Sequence, residues 1–309
     1  PSHSIHAGVE LAKRADDLGY ERYWVAEHHN MPSIATAAPE VLIAAVASDT
    51  KRIRVGAGGI MVPNHTPLRV VEIFRTLEAL FPGRIDLGLG RAPGTDPVTS
   101  SALRRRNGEV DQQLAELFAF AYGGFPEGHP FRDILAMPTD VALPPVFMLG
   151  STNAGASIGA ARGLRYAFAG HFAMAGAKDA LATYRSRFRP SNELAAPYAI
   201  LAATVICGEN DEHAEWLAGP LRVAILAIRT GRRAPLVSFD EAARHPFSSA
   251  ELAAIEDFLD GAIIGGAAKV KAGLEQLGAD TGADEIMVST MLPDPAERLR
   301  SYERIAALS

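Results

Sequence analysis

The sequence has little cysteine, no long apolar run and no long basic tract, and each shortage argues against a class of protein. Cys207 is the one cysteine among 309 residues, so no internal disulfide forms and a reducing cytoplasm is expected. No apolar stretch reaches membrane length, and no charged-then-apolar secretory leader opens the chain. The longest basic run is Arg104-Arg105-Arg106, and the net charge is −6, which argues against a nucleic-acid surface.

β-like and helical runs alternate along the whole chain. The β-like runs cover residues 23–26, 53–58, 85–90, 146–149, 166–169, 199–207 and 285–290. The helical runs cover residues 68–80, 110–122, 154–162, 178–188, 212–229 and 296–307. Regular alternation of this kind predicts a mostly parallel sheet.

The strand count favours an α/β barrel with one strand missing. Seven β-like runs are one short of an eight-stranded (β/α) barrel, and the chain opens on a helical pattern that stops at Gly19. We therefore expect a single barrel domain over residues 1–309 with insertions, and a first strand upstream of residue 1. A doubly wound open sheet is the competing fold.

Three segments interrupt the alternation. Residues 92–108 and 123–145 are rich in glycine, proline and polar side chains, and residues 230–249 contain Gly231, Pro235 and Pro246. Long segments such as the first two often form the walls of a site. The third is interpreted as an insertion before the last repeat.

The polar end of the first β-like run is the strongest candidate for a site. Residues 23–30 read Tyr-Trp-Val-Ala-Glu-His-His-Asn, an apolar run that ends in an acid, two histidines and an amide. Neighbours on an extended chain point to opposite faces, so His28 and His29 are expected to have different roles. The simpler alternative is a solvated loop, or imidazoles that serve as buried structural donors.

Glycines in the second and third β-like runs form another candidate. Gly56, Gly58 and Gly59 weaken a strand unless a ligand or another backbone comes close, so a flat ring is one interpretation and a β-bulge is the other. The run from Gly88 to Gly94 has the wrong glycine spacing for a dinucleotide loop.

Residues 150–153 form a third candidate. Gly150, Ser151, Thr152 and Asn153 stand between a strand and an alanine-rich helix, an arrangement suited to a phosphate, with Arg91 as countercharge. Ordinary N-capping explains the same residue types without a ligand.

Three stretches together resemble the bacterial luciferase-like family of flavin-dependent monooxygenases, in particular its alkanal-monooxygenase-like subgroup. They are residues 23–32, residues 54–67, and residues 76–96 with the sequence TLEALFPGRIDLGLGRAPGTD; residues 282–288 are a weaker match. The resemblance implies a (β/α)8 barrel and FMN as the cofactor. It supports the placement of a missing first strand before residue 1.

The resemblance also assigns roles to residues. His28 matches a catalytic histidine beside the flavin, and His29 matches its less critical neighbour. The cofactor-binding positions are His29, Gly58 and Gly59 at a non-prolyl cis peptide, Arg91, and the phosphate loop Gly150, Ser151 and Thr152. Apart from the resemblance, Glu27, His65 and His171 are candidates for the substrate pocket, with a turn or loop donor as the alternative role for each histidine. No metal is expected.

The sequence departs from luciferase at three of the matching positions. Gly150 replaces an acidic residue and Ala154 replaces a hydroxyl residue, so phosphate contacts there are expected to differ. Gly90 replaces a reactive cysteine, so thiol chemistry is not carried over.

The implied reaction uses reduced FMN from a separate reductase and O2 to oxidise a small organic substrate through a flavin C4a-peroxide. A homodimer is expected through residues 42–46 and 70–77, although those faces also fit a core. The alternatives are a deazaflavin-dependent hydride-transfer oxidoreductase, a metal-dependent hydrolase using Glu27, His28 and His29, and a non-catalytic flavin-binding protein.

Overall fold

The structure is a computed structural model that describes residues 1–104 and 110–308. The chain divides into two compact units, described separately below. The first contains residues 20–30 and 36–149, and the second contains residues 1–19 and 31–35 and the chain from Gly150 onward. Arg105 and Arg106 of the basic triplet, and residues 105–108 of the first interrupting segment, lie outside the described residues.

The strands are β1 (Arg22–Val25), β2 (Arg54–Met61), β3 (Ile85–Gly90), β4 (Val146–Gly150), β5 (Arg165–Ala169), β6 (Ala199–Cys207), β7 (Ile263–Gly265) and β8 (Glu285–Ser289). The helices are α1 (Ser2–Asp17), α2 (Pro39–Asp49), α3 (Pro67–Leu80), α4 (Pro97–Ala102), α5 (Val110–Tyr122), α6 (Asn153–Ala161), α7 (Gly170–Ala173), α8 (Ala177–Arg187), α9 (Asp211–Leu217), α10 (Gly219–Arg229), α11 (Phe239–Ala243), α12 (Ser249–Phe258), α13 (Ala267–Thr281) and α14 (Pro295–Ala306). Short 3-10 turns cover Val62–Asn64 and Met174–Gly176.

Parallel strands form the centre of the first unit. β1 pairs with β2, β2 with β3, and β3 with β4, all in parallel. β3 is buried along its whole length, as expected for a strand covered on both faces. α2 packs against β2, and α3 packs against β3 and α5. The predicted parallel α/β arrangement is confirmed for this unit.

A buried ion cluster lies at the amino-terminal edge of these strands. Asp86, the second residue of β3, is fully buried. Its Oδ2 accepts from Arg22 Nη1 at 2.6 Å and from Trp24 Nε1 at 3.0 Å. Its Oδ1 accepts from Arg54 Nη2 at 2.6 Å and Nε at 3.0 Å. One carboxylate thus ties the starts of β1 and β2 to β3, which offsets the cost of burying it.

The second unit has its own parallel strands. β6 pairs with β5, with β8 over Ile200 to Thr204, and with β7 over Val205 to Cys207. β7 was not predicted, because it has only three residues. The last of them is Gly265, and another glycine, Gly266, follows. The described chain therefore contains one more strand than the seven predicted ones, and this strand extends the pairing of β6 at its carboxyl end.

The predicted helices match the structure closely except at residues 212–229. There the structure has two helices, α9 and α10, which meet at Ala218. Pro220 lies in the first turn of α10, a position that proline favours because it lacks a backbone N–H donor. The prediction of one continuous helix is wrong.

The faces assigned to a dimer contact are part of the core of the first unit. Ile43 and Val46 of α2, and Val71 and Phe74 of α3, are each at most 1% exposed. A homodimer stays a prediction and takes no support from these side chains. None of the helices in the described part of the chain combines the length and apolarity that a bilayer crossing needs.

Candidate functional site

His28 lies three residues after β1 and is held by the loop that follows β3. Its backbone N–H donates to the Thr36 carbonyl at 2.9 Å, and its Nδ1 lies 3.2 Å from the Gly94 carbonyl oxygen. A carbonyl only accepts, so Nδ1 carries the proton and Nε2 of the neutral ring is left as an acceptor. Burial lowers the pKa of His28, only partly opposed by the Gly94 bond and the charge of Glu27. This favours the neutral form.

His29 makes different contacts from its neighbour, in agreement with the alternation expected along an extended chain. Its backbone N–H donates to Gly94 O at 3.3 Å, and its carbonyl accepts from Thr95 Oγ1 at 2.8 Å. Its Nε2 lies 3.0 Å from Glu27 Oε1. The two histidines therefore point to separate partners, one a carbonyl and the other a carboxylate.

Glu27 is fully buried and its two oxygens accept four hydrogen bonds. Oε1 accepts from His29 Nε2 at 3.0 Å and from Asn64 Nδ2 at 2.9 Å. Oε2 accepts from Met61 N at 2.8 Å and from His65 Nε2 at 2.9 Å. Burial raises the pKa of Glu27, but the bonds from His65, Asn64 and Met61 outweigh it and lower the pKa to about 2. Glu27 is thus an ionised anchor that acts through the residues it binds.

His65 follows the 3-10 turn after β2 and is a quarter exposed. Burial lowers the pKa of His65, but the hydrogen bond to Glu27 and the charges of Glu27 and Glu40 raise it above the ordinary value. The assignment of Glu27 and His65 to a site near His28 agrees with their position in one cluster. Their contact with a substrate stays a prediction.

Gly94 and Asn64 are functional positions that the sequence analysis missed. Gly94 has φ of +64°, and a Cβ there would lie 2.8 Å from Glu27 O and 3.0 Å from Met61 Cγ. Only glycine fits this close approach without displacement. Asn64 bridges Glu27 and the Pro93 carbonyl, at 2.9 and 3.0 Å. The Pro93-Gly94 dipeptide is a recognised turn signal and was the available clue.

Gly58 and Gly59 lie at an irregularity in β2. The bond between them is cis, and the pairing with β3 shifts register between Ala57 and Ile60. The cis peptide implied by the family resemblance is therefore present, and the register shift is compatible with the β-bulge that was the alternative to a flat ring. A Cβ on Gly59 would lie 2.8 Å from Gly88 O, so close approach of another backbone already accounts for this glycine. Flavin contact at these glycines stays a prediction.

Arg91 follows β3 directly and is half-buried. Its Nε atom is buried and has no hydrogen-bond partner among the described residues. A buried guanidinium N–H without an acceptor is costly, so an acceptor from outside the chain would complete this site. The structure thus leaves Arg91 suited to an anionic ligand.

Gly150, Ser151 and Thr152 belong to the second unit, at the end of β4 and the start of α6. Thr152 occupies the N-cap position of α6, as the capping alternative expects. However, no side chain forms a capping hydrogen bond to this helix. Tyr166 Oη donates to the Thr152 carbonyl at 3.3 Å. A Cβ on Gly150 would lie 3.2 Å from Gly155 Cα. The backbone N–H groups of the first turn are left for another acceptor.

His171 also belongs to the second unit and lies in α7, directly after β5. Its ring contacts Phe172, with centroids 4.1 Å apart. This agrees with its expected place after a strand end. Its assignment to the substrate pocket stays a prediction.

The described residues contain no group of three or more histidine, cysteine or acidic side chains arranged to hold a metal ion. The potential ligands of the hydrolase alternative are bonded to the protein itself. Each of the two Glu27 oxygens accepts from two donors, and His28 Nδ1 donates to the Gly94 carbonyl.

Comparison with known proteins gives matches over the whole chain. A family model described as luciferase-like monooxygenase matches residues 1–285. The uncharacterised protein YvbT of Bacillus subtilis is 42% identical over 99% of this chain and 91% of its own length. A luciferase-like monooxygenase of Escherichia coli is 40% identical over 98% and 89%. The N-acetyl-S-alkylcysteine monooxygenase of Bacillus subtilis is 30% identical over 96% and 90%.

Solved structures share the fold. The crystal structure of apo-MsnO8 has a TM-score of 0.86 at 34% identity, covering 100% of this chain and 93% of that one. The oxygenating constituent of 3,6-diketocamphane monooxygenase from Pseudomonas putida, in complex with FMN, has a TM-score of 0.71 at 20% identity, covering 99% and 92%. An F420-dependent secondary alcohol dehydrogenase has a TM-score of 0.65 at 13% identity, covering 97% and 94%.

Proposed function

The chain belongs to the family of luciferase-like monooxygenases and is an oxidoreductase, and we propose that it uses reduced FMN and O2 to oxidise a small organic molecule. The reduced flavin comes from a separate reductase in this proposal. The N-acetyl-S-alkylcysteine monooxygenase that is 30% identical supports a small organic substrate, and the FMN complex of a protein with the same fold supports the cofactor.

The observation that carries the proposal is the state of His28. Its Nδ1 proton is committed to Gly94 O, and burial favours the neutral ring, so Nε2 accepts a proton or a hydrogen bond. An acceptor at the carboxyl end of a parallel strand, in a half-buried position, suits general acid–base assistance.

In the first unit, the buried Nε of Arg91 has no acceptor among the described residues, which suits the phosphate of FMN. Binding of FMN by Gly150, Ser151 and Thr152 of the second unit, where the first turn of α6 has no side-chain cap, stays a separate prediction. When bound, reduced FMN would supply the activation of O2. The surrounding chain would hold the cofactor and limit the access of water.

The finer expectations on architecture stay predictions. They are a closed (β/α) barrel over residues 1–309, a first strand before residue 1, a homodimer, and a cytoplasmic location.

Replacement of His28 tests the reaction. Wild-type protein and His28→Ala are titrated anaerobically with photoreduced FMN and mixed with oxygenated buffer, and the rate at which each releases hydrogen peroxide is recorded. We expect similar FMN affinity and faster peroxide release from His28→Ala, because the acid–base group is lost while the phosphate contacts stay. Equal rates of peroxide release and equal turnover would contradict the role of His28.

Replacement of Arg91 tests the cofactor site. Arg91→Ala is expected to weaken FMN binding by roughly 10- to 150-fold and riboflavin binding far less, since a charge-assisted bond contributes roughly 1.5–3 kcal/mol. Arg69→Ala is the matched control, because Arg69 is two-thirds exposed and, among the described residues, forms its ion pair with Glu72 on its own helix. Equal losses for FMN and riboflavin would remove Arg91 from the phosphate site.

A deazaflavin-dependent hydride transfer is the second candidate. The fold shared with an F420-dependent dehydrogenase favours it, since F420 is a deazaflavin. The same anaerobic titration with reduced deazaflavin in parallel separates the two. Tighter binding of the deazaflavin, with no O2 consumption, would favour this candidate over the monooxygenase.

A further inference from the structure

The arrangement around Glu27 joins two imidazoles to one buried carboxylate. His29 Nε2 bonds Oε1 at 3.0 Å and His65 Nε2 bonds Oε2 at 2.9 Å. The remaining acceptor positions are taken by Asn64 Nδ2 and the backbone N–H of Met61. The carboxylate is fully buried, while the two histidine side chains are 18% and 25% exposed. The anchor is therefore inaccessible, and the rings it binds are accessible.

The bonding fixes which nitrogen of His65 exchanges a proton. An ionised carboxylate only accepts, so both Nε2 atoms must carry hydrogen. On His65 that hydrogen stays in place whether the ring is neutral or charged. The proton that His65 gains or loses on titration is therefore the one at Nδ1. For His65, Nδ1 has no hydrogen-bond partner in the part of the chain that the structure describes.

We propose that Glu27 is a positioning residue that holds His29 and His65 as Nε2–H donors and makes Nδ1 of His65 a proton-exchanging atom of the site. Where it concerns turnover, this inference rests on the proposed flavin-dependent oxidation. His28 and His65 then have complementary forms: His28 offers an unprotonated Nε2, and His65 offers a protonated Nδ1. A site that both accepts and donates protons needs groups with pKa values pushed apart.

Two carboxylates act on His65, and they differ in a way that allows a controlled test. Glu27, after β1, bonds the ring directly, whereas Glu40, on α2, acts on it through charge alone. Glu27→Gln removes the charge and replaces one of the two accepting oxygens by an NH2 group, which only donates. Glu40→Gln removes one charge and leaves the hydrogen bond in place, so it is the matched control.

The test is a pH titration of protein whose histidines carry nitrogen-15. Long-range nitrogen–proton NMR spectra recorded at each pH report the tautomer and pKa of each ring. In wild-type protein we expect His65 as the Nε2–H tautomer above its pKa. In Glu27→Gln we expect the His65 pKa to fall by roughly 1 to 3 pH units, the range known for close opposite charges, and to fall less in Glu40→Gln. An Nδ1–H tautomer in wild type, or an unchanged pKa in Glu27→Gln, would overturn the proposal.

A second variant keeps the proposal testable if Glu27→Gln does not fold. His65→Gln retains an N–H donor for the carboxylate but cannot titrate. We expect it to bind FMN like wild type and to lose the alkaline limb of the pH profile for product formation. Retention of that limb would contradict a proton-exchanging role for His65. If wild type shows the expected tautomer but does not oxidise reduced FMN, the proposed function fails and the positioning role of Glu27 stands.

Discussion

Two buried carboxylates in the first unit, Asp86 and Glu27, are equally inaccessible and differ in their partners. Asp86 lies at the amino-terminal edge of the strands and bonds two arginines and an indole. Glu27 lies beyond their carboxyl end and bonds two histidines, an amide and a backbone N–H. Arginine stays charged at any ordinary pH, whereas histidine titrates near neutrality.

The difference separates a stabilising cluster from a titratable one. The charges around Asp86 are permanent, so that cluster ties β1, β2 and β3 together at any pH at which the protein is folded. The charge around Glu27 changes with pH through His65. Active sites of parallel α/β sheets lie at the carboxyl ends of the strands, which is where the titratable cluster is found.

The largest effect is expected from Asp86→Asn. It leaves Arg22 and Arg54 without their countercharge, and loss of one partner of a buried pair costs about 3–5 kcal/mol. Urea denaturation monitored by fluorescence measures the free energy of unfolding. Glu72→Gln, which breaks an exposed pair with Arg69, is the control and should cost at most about 1 kcal/mol. A loss for Asp86→Asn no larger than this control would contradict the stabilising role.

A smaller effect is expected from Gly94→Ala, which disturbs the loop that holds His28. Alanine at positive φ costs roughly 1–2 kcal/mol, and its Cβ would also approach Glu27 O to 2.8 Å. Gly83→Ala is the matched control, because Gly83 has φ of +74° and no atom within 4 Å of the Cβ position. We expect Gly94→Ala to lose roughly 1–3 kcal/mol more than Gly83→Ala, measured by thermal and urea unfolding. Equal losses would show that the loop yields and that Gly94 does not fix His28.

Much of the fold was predictable because most strands and several of the helices have strong apolar patterns. The helix α13, with 15 residues, was not predicted. β3 and β6 have the predicted bounds, since both are mainly apolar runs bounded by polar residues or turns. β7 was missed because three residues next to glycine carry too little pattern to identify a strand. The break between α9 and α10 was missed because the apolar periodicity continues across it and only Pro220 signals a new start.

The sequence predicted several of the residues that belong to the candidate site, but it did not predict which of them contact one another. The sequence identified Glu27 and His28 as polar residues at the end of a strand, and it gave His65 as a candidate for the substrate pocket. It did not show that one carboxylate bonds His29 and His65 together, because that pairing depends on how the loops after β1 and β2 meet in space. The role of Gly94 was hidden for the same reason, since its carbonyl carries the contact and a backbone group has no sequence signature.

The central claim is that His28 and His65, which both feel the charge of Glu27, have opposite protonation preferences. The most direct test is the pKa of His28 and His65 in wild-type protein, read from nitrogen–proton NMR spectra between acid and alkaline pH. The account predicts a His28 pKa below 6.5 with an Nδ1–H tautomer, and a His65 pKa above 6.5 with an Nε2–H tautomer. Stability should then rise with pH where His28 loses its proton, below pH 6.5, and fall with pH where His65 loses its proton, above pH 6.5. Equal pKa values, or the reverse order, would contradict the account.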